Sequence, residues 1–252
     1  MKHFTLGKSF EKEFEIQQRY YAETADNYDE MHVLLEDEHN FALAFLVSYI
    51  RYSQTKSVYS QTKSVLDIGS GTGRVLRYIK AELPNVKVIG IEPSKELREI
   101  GYKKHGISEE ELIDGNGLYL DFEDESFDIV CEFGSLHHIK YPHRVVDEML
   151  RVAQTAIFIS DCNNFGHGSF AMRTIKQLIN SVGLWPVADY MKTKGKSYTI
   201  SEGDGLAYSY SVFNNYRKIK KKCSTVHLLN TKSSGVNLYK TAGHVALLGI
   251  KD

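Results

Sequence analysis

Residues 65–74 read VLDIGSGTGR. Val65 to Ile68 is a short, β-rich apolar run, and glycines follow at 69, 71 and 73. A helical pattern begins at once, with apolar residues at 75, 76, 79 and 83, and Pro84-Asn85 stops it. A strand that passes into a helix through glycines turns tightly and lets a ligand approach the backbone with no side chain in the way. The spacing is G-x-G-x-G, so the glycines by themselves do not specify the ligand.

Asp67 narrows the choice. A pyrophosphate at the helix N-terminus would be repelled by a carboxylate two positions ahead of Gly69, whereas a cationic ligand such as a sulfonium amino acid would not. Glu92 ends the next strand-like run, VKVIGIEP. An acid there can accept from both ribose hydroxyls of a nucleoside and would exclude a 2′-phosphate by its charge. The two ends of the site together ask for a nucleoside with a cationic, non-phosphate tail.

Outward from this unit, strands and helices alternate. SKELREIGYKKHG (94–106) predicts a helix capped by Ser94 and closed by Gly106, and EELIDGNG (110–117) a weaker third strand. SFDIVCEFG (126–134) is a fourth strand, HRVVDEMLRVA (143–153) a helix and TAIFISDCN (155–163) a fifth strand. Such alternation predicts a doubly wound, mostly parallel sheet with right-handed crossovers. Ahead of it, residues 9–32 put Phe10, Phe14, Gln17 and Tyr21 on one helix face, and EDEHNFALAFLVSYIRY (36–52) is a helix with an acidic start and a basic end. Beyond residue 162 the rhythm changes: a helical stretch (168–185), a tyrosine- and glycine-bearing polar stretch (196–210), a helix with a basic tail (211–223) and two further strands in 224–231 and 244–252. No Pro- or Ser-rich linker divides the 252 residues, so one domain is expected: a helical lid in 1–51, a cofactor-binding core in 64–161, an acceptor-side insertion in 162–223 and closing strands in 224–252.

The joint pattern resembles the class I S-adenosylmethionine-dependent methyltransferases, on VLDIGSGTGR, GIEPS, GNG followed by DFEDESFDIV, and SLHHI, in order over roughly residues 64–161. The resemblance is to the branch with small-molecule acceptors. It implies a seven-stranded sheet whose last strand, HVALLGIKD, runs antiparallel. It also implies S-adenosylmethionine as cofactor, leaving as S-adenosylhomocysteine, held by Asp67, Gly69, Gly71, Gly73 and Glu92. Asn116 and Gly117 would meet the adenine, and Glu132 would line the methionine and acceptor side. YYAETADNYDEMH (20–32) resembles the family's lid helix, which makes Tyr21 and Tyr28 candidate cofactor contacts, although tyrosines also fill helix faces in cores. The family's Pro-Gly-Gly turn before strand five is replaced by Ala153-Gln154-Thr155.

His137 and His138 follow strand four and Asp161 ends strand five, at the carboxyl edge where ligands bind in this architecture. A His-Asp pair there suits general-base catalysis on a hydroxyl, whose pKa is too high to react unaided. The SLHHI…ISD layout resembles sugar O-methyltransferases of natural-product pathways, so the expected acceptor is a sugar or other hydroxylated metabolite. His167 is a looser candidate for the base, and Glu202, Asp204, Tyr208 and Tyr210 are the substrate-side candidates. Alternatives are an amine or carbon acceptor, an RNA or protein acceptor anchored by the basic run 217–222, and a non-catalytic cofactor-binding subunit.

Charge balance, 31 basic against 32 acidic residues, argues against binding nucleic acid by bulk electrostatics. Three scattered cysteines form neither a C-x-x-C pair nor a disulfide framework; no metal is expected, and a reducing, cytoplasmic setting is. The N-terminus lacks a secretory h-region and the apolar run 41–50 is too short for a bilayer, so no membrane contact is expected, and the chain is expected as a monomer or homodimer. One feature stands apart. The word YSQTKSV occurs twice in succession, at 52–58 and 59–65. Two copies make no solenoid, the second leads into the first strand, and the first reads as slack that extends the preceding helix or lengthens a loop, so its deletion would leave cofactor binding intact.

Overall fold

The computed structural model describes residues 8–34, 37–55, 61–232 and 236–251. In chain order its elements are α1 (Lys8–Thr24), α2 (Tyr28–His32), α3 (Glu38–Gln54), β1 (Ser64–Ile68), α4 (Arg74–Glu82), β2 (Lys87–Ile91), α5 (Lys95–His105), β3 (Leu112–Ile113) and β4 (Phe127–Phe133). There follow α6 (Pro142–Val152), β5 (Ala153–Cys162), α7 (Phe170–Ser181), α8 (Trp185–Lys192), β6 (Tyr198–Ser201), β7 (Gly205–Tyr208), α9 (Tyr216–Lys222), β8 (Thr225–Asn230) and β9 (His244–Ile250).

Seven strands form one sheet in the order β3-β2-β1-β4-β5-β9-β8, while β6 and β7 pair as a separate hairpin. β1 pairs in parallel with β2 and β4, and β4 with β5; β9 runs antiparallel between β5 and β8. The strands alternate between two buried faces, as a sheet covered on both sides requires. Val65, Val88, Ile129 and Phe158 pack with Leu43, Leu46, Leu76 and Ile79 of α3 and α4. Leu66, Val130, Ile157 and Leu247 pack with Val145 and Met149 of α6 and with Ile219 of α9. Each such fully buried side chain contributes about 1.5–3 kcal/mol.

The caps act as the sequence predicts: Ser94 Oγ accepts from the Leu97 amide, and Gly106 ends α5 with φ of 65°. Without a Pro-Gly-Gly turn, α6 passes straight into β5 at Ala153. The tyrosine-rich stretch holds a regular hairpin rather than a loop, because Tyr198 to Ser201 pairs with Gly205 to Tyr208. No described helix is long and apolar enough to cross a membrane.

The repeated heptapeptide differs from its reading as slack. Its first copy starts inside α3, and Ser53 is buried. Ser53 Oγ lies 2.9 Å from Thr62 Oγ1, Gln54 Nε2 donates to the Thr62 carbonyl and Gln61 Nε2 to that of Gln54. The two copies therefore clasp each other where helix hands over to strand. Residues 56–60, the middle of the repeat, lie outside the described residues.

Candidate active site at the carboxyl edge of the sheet

Register brings the site together. Ile68 of β1 pairs with Ile91 and with Glu132, and Glu132 pairs with Ile159, so Asp67, Glu92, Glu132 and Asp161 all lie near one edge of the sheet. All four carboxylates are buried. Gly69, Gly71 and Gly73 have φ of 71°, 56° and 88°, a region that side-chain-bearing residues avoid. The Gly69 and Ser70 amides donate to the Ile91 carbonyl, which draws the loop over the end of β2.

Glu92 is held from two sides: its Oε2 accepts from the Gly71 amide at 3.0 Å and its Oε1 from the Ser94 amide at 2.8 Å. Burial nevertheless pushes its pKa up to about 7. Asp67 is likewise pushed to about 7 by burial, and its Oδ2 has no hydrogen-bond partner. Glu132 accepts from the Ser135 amide and hydroxyl through Oε2, while its Oε1 is buried and unpartnered; burial raises its carboxyl well above the usual range. Carboxylates buried without enough positive charge suit a cationic ligand, which fits the methionine end of S-adenosylmethionine.

Two cavities adjoin at Tyr21, Tyr28, Phe133, Gly134 and His138. The first, about 110 Å³, reaches Gly69, Glu92, Asn116 and Gly117 under the lid. Asn116 Oδ1 accepts from the Leu118 amide at 2.9 Å, so part of its capacity goes into a local turn. A Cβ on Gly117 would stand 2.7 Å from Ile68 Cγ2, which shows a packing reason for that glycine. Tyr21 and Tyr28 meet edge to face, and Tyr21 also meets the His138 ring. The lid is stitched to the hairpin: Gln17 Oε1 accepts from the Leu206 amide at 2.6 Å, and Tyr208 donates to Glu13 at 2.6 Å.

The second cavity, about 340 Å³, is lined by His32, His39, His137, His138, His167 and His244, with Asp204 among them. Asp161 positions the first histidine of the pair. It accepts from the Leu136 and His137 amides and, at 2.7 Å, from His137 Nδ1; this imidazole and the Cys162 amide hold its carboxyl well below the usual range. His137, between Asp161 and Asp204, is pushed well above the ordinary histidine value despite its burial. His138 Nδ1 donates to the Leu206 carbonyl at 2.7 Å.

Of the substrate-side candidates, the structure brings Asp204 and Tyr208 to the cavities and leaves two away. Tyr210 is buried in the core, where its hydroxyl accepts from Asn215. Glu202 is exposed on the hairpin turn, and its carbonyl accepts from Tyr20. In the basic run, Lys218 pairs with Asp147 at 2.6 Å, while Lys220, Lys221 and Lys222 face solvent. His32, His39 and His244 were not among the sequence candidates. They share no motif, His244 lies about 200 residues beyond the other two, and only α2, α3 and β9 packing round one edge makes them neighbours.

Sheet order, glycine loop and carboxylate edge define the Rossmann-like methyltransferase fold. A family model described as a methyltransferase domain matches residues 66–156. A demethylmenaquinone methyltransferase of Thermotoga maritima is 32% identical over 90 residues, 36% of this chain and 38% of that protein. An uncharacterized methyltransferase of Schizosaccharomyces pombe is 28% identical over 152 residues, 56% of this chain and 51% of that protein. The chain thus spans about half or less of these two relatives. Among solved structures, a possible histamine N-methyltransferase of Thermotoga maritima superposes with a TM-score of 0.55 at 19% identity, over 93% of this chain and 99% of that one. The plantazolicin methyltransferase, solved with S-adenosylhomocysteine, gives 0.54 at 18% identity over 98% and 100%. At these identities the likeness is one of fold.

Proposed function

We propose that the protein transfers the methyl group of S-adenosylmethionine to a small polar acceptor, with a hydroxyl of a sugar or similar metabolite as the favoured target. The observation that carries this reading is the pair of buried, unpartnered carboxylate oxygens, Asp67 Oδ2 and Glu132 Oε1, beside a glycine loop of positive φ. Bound there, the cofactor supplies an electrophilic methyl on a sulfonium. Glu92, pinned by the Gly71 and Ser94 amides, is set to receive the ribose hydroxyls. Tyr21 and Tyr28 shut the lid side and keep water out, which matters because transfer depends on positioning more than on bond-making by the protein.

On the acceptor side, His138 Nδ1 is committed to the Leu206 carbonyl, so its Nε2 carries the lone pair and can take a hydroxyl proton. His137, held charged between two carboxylates, suits donation to the acceptor. The relatives named for demethylmenaquinone would point to an apolar ring acceptor, but a cavity walled by histidines and Asp204 favours a polar one.

Calorimetry with S-adenosylhomocysteine tests the cofactor half: Asp67→Ala and Glu92→Ala should each weaken binding at least tenfold, and unchanged affinity in either would sink the reading. Labelled-methyl incorporation into cell-extract metabolites tests the acceptor half. His138→Ala turning over nearly as fast as the parent would move the acceptor from hydroxyl to amine or carbon.

A further inference from the structure

Two neighbouring histidines face one carboxylate through equivalent atoms. His137 Nδ1 donates to Asp161 and His138 Nδ1 to the Leu206 carbonyl, which turns each Nε2 to Asp204; with the His137 proton displaced, a lone pair stands on each Nε2. His137 Nε2 stands 3.5 Å from Asp204 Oδ2, and His138 Nε2 stands 3.4 Å from Asp204 Oδ1. Two lone pairs and a carboxylate are acceptors only, so a cation belongs among them, either a proton on a ring or a metal ion.

The geometry suits a metal ion. Ligands about 2.1 Å from a tetrahedral ion stand about 3.4 Å from one another. A carboxylate on the far nitrogen of one ring and a backbone carbonyl on that of the other are the outer contacts that metal-binding histidines make. The neighbouring group of His137, Asp161 and Cys162 is a poorer candidate. There a proton already bridges His137 Nδ1 and Asp161, and Asp161 is saturated by backbone amides. His32, on the wall of the same cavity, keeps a buried Nε2 with no hydrogen-bond partner.

We propose that His137 Nε2, His138 Nε2 and the Asp204 carboxylate bind one divalent transition-metal ion of the zinc type. Two imidazoles and one carboxylate suit a borderline ion and not magnesium or calcium, which prefer oxygen throughout. Three protein ligands leave a position open toward the 340 Å³ cavity. The role of the ion rests on the methyltransferase reading. Held there, the ion would supply Lewis acidity, lowering the pKa of an acceptor hydroxyl at the open position so that its proton could pass to water before the hydroxyl oxygen takes the methyl from sulfur. The histidines then hold the ion, so metal and general base are alternatives at the same two atoms.

The test is calorimetric titration of chelator-treated protein with Zn²⁺ and with Co²⁺, and S-adenosylhomocysteine binding measured on the same samples. One ion per chain is expected, with affinity lowered about 10–100-fold or more in Asp204→Ala and His138→Ala. Glu202→Gln, on the exposed turn of the same hairpin, should bind the ion as the parent does. Retained S-adenosylhomocysteine affinity shows the variants folded. Absence of metal binding in the parent, or equal affinity in Asp204→Ala, overturns the proposal. Metal binding without S-adenosylhomocysteine binding would leave this site standing and remove the methyltransferase reading instead.

Discussion

Glycine 69 meets two separate constraints, and a comparison with Gly106 separates them. Both have positive φ, 71° and 65°. A Cβ on Gly69 would lie 2.6 Å from Ser135 Cβ, whereas one on Gly106 would meet nothing within 4 Å. Gly106→Ala should therefore cost only the left-handed strain, about 1–2 kcal/mol, and leave cofactor binding alone. Gly69→Ala adds a clash with the turn that carries Ser135 and, through it, Glu132. It should lose clearly more stability in urea unfolding and weaken S-adenosylhomocysteine binding by tenfold or more; equal losses in the two variants would contradict this account. The demand for glycine at 69, 71 and 73 was legible in the chain, since a strand running into a helix leaves few other residues able to turn there. That Ser135 is the neighbour at 69 was not, because it is brought in by the pairing of β1 with β4.

At the scale of elements, the periodic segments were readable and the short-range surprises came from pairing. Helix and strand limits in 64–161 follow apolar periods and caps. Residues 196–210 carry three tyrosines and two glycines and no clean alternation, so only pairing within the segment reveals a hairpin. That hairpin delivers Asp204 to two histidines more than 60 residues away. The heptapeptide clasp belongs here too. Ser53→Ala would leave the buried Thr62 hydroxyl and amide without their partner, at about 1–3 kcal/mol. A lowered melting midpoint with unchanged cofactor affinity is expected, because the clasp precedes Asp67 and touches none of the site; an unchanged midpoint would return the first copy to the status of slack.

For the whole molecule, buried charge sets the pH response. Asp67 and Glu92 are each raised from ordinary carboxylate values to about 7 by burial. Raised acids favour the folded state below about pH 4, and that contribution is lost as pH rises through 7. Ionised carboxylates are the forms that attract a cationic ligand. Cofactor affinity should thus rise between pH 6 and 8, by roughly tenfold for each group that must ionise, while stability falls as pH rises from about 4 to 7. Asp67→Asn, with one titrating group fewer, should bind less tightly and show a flatter pH profile. A steeper profile in that variant, or affinity falling with pH in the parent, would refute the link between burial and cation binding.

The order of apolar runs, glycines and acids along residues 64–161 was enough to specify the sheet, its parallel sense and the acids that gather along its carboxyl edge, since each of these is encoded by neighbours in the chain. The histidine-lined cavity was not encoded that way. His137 and His138 stand side by side in the chain and were readable there, whereas His32, His39 and His244 come from the lid, the helix after it and the final strand, and no motif ties them to that pair. Only long-range packing, with the lid and the hairpin closing over the carboxyl edge, brings these side chains and Asp204 within reach of one another.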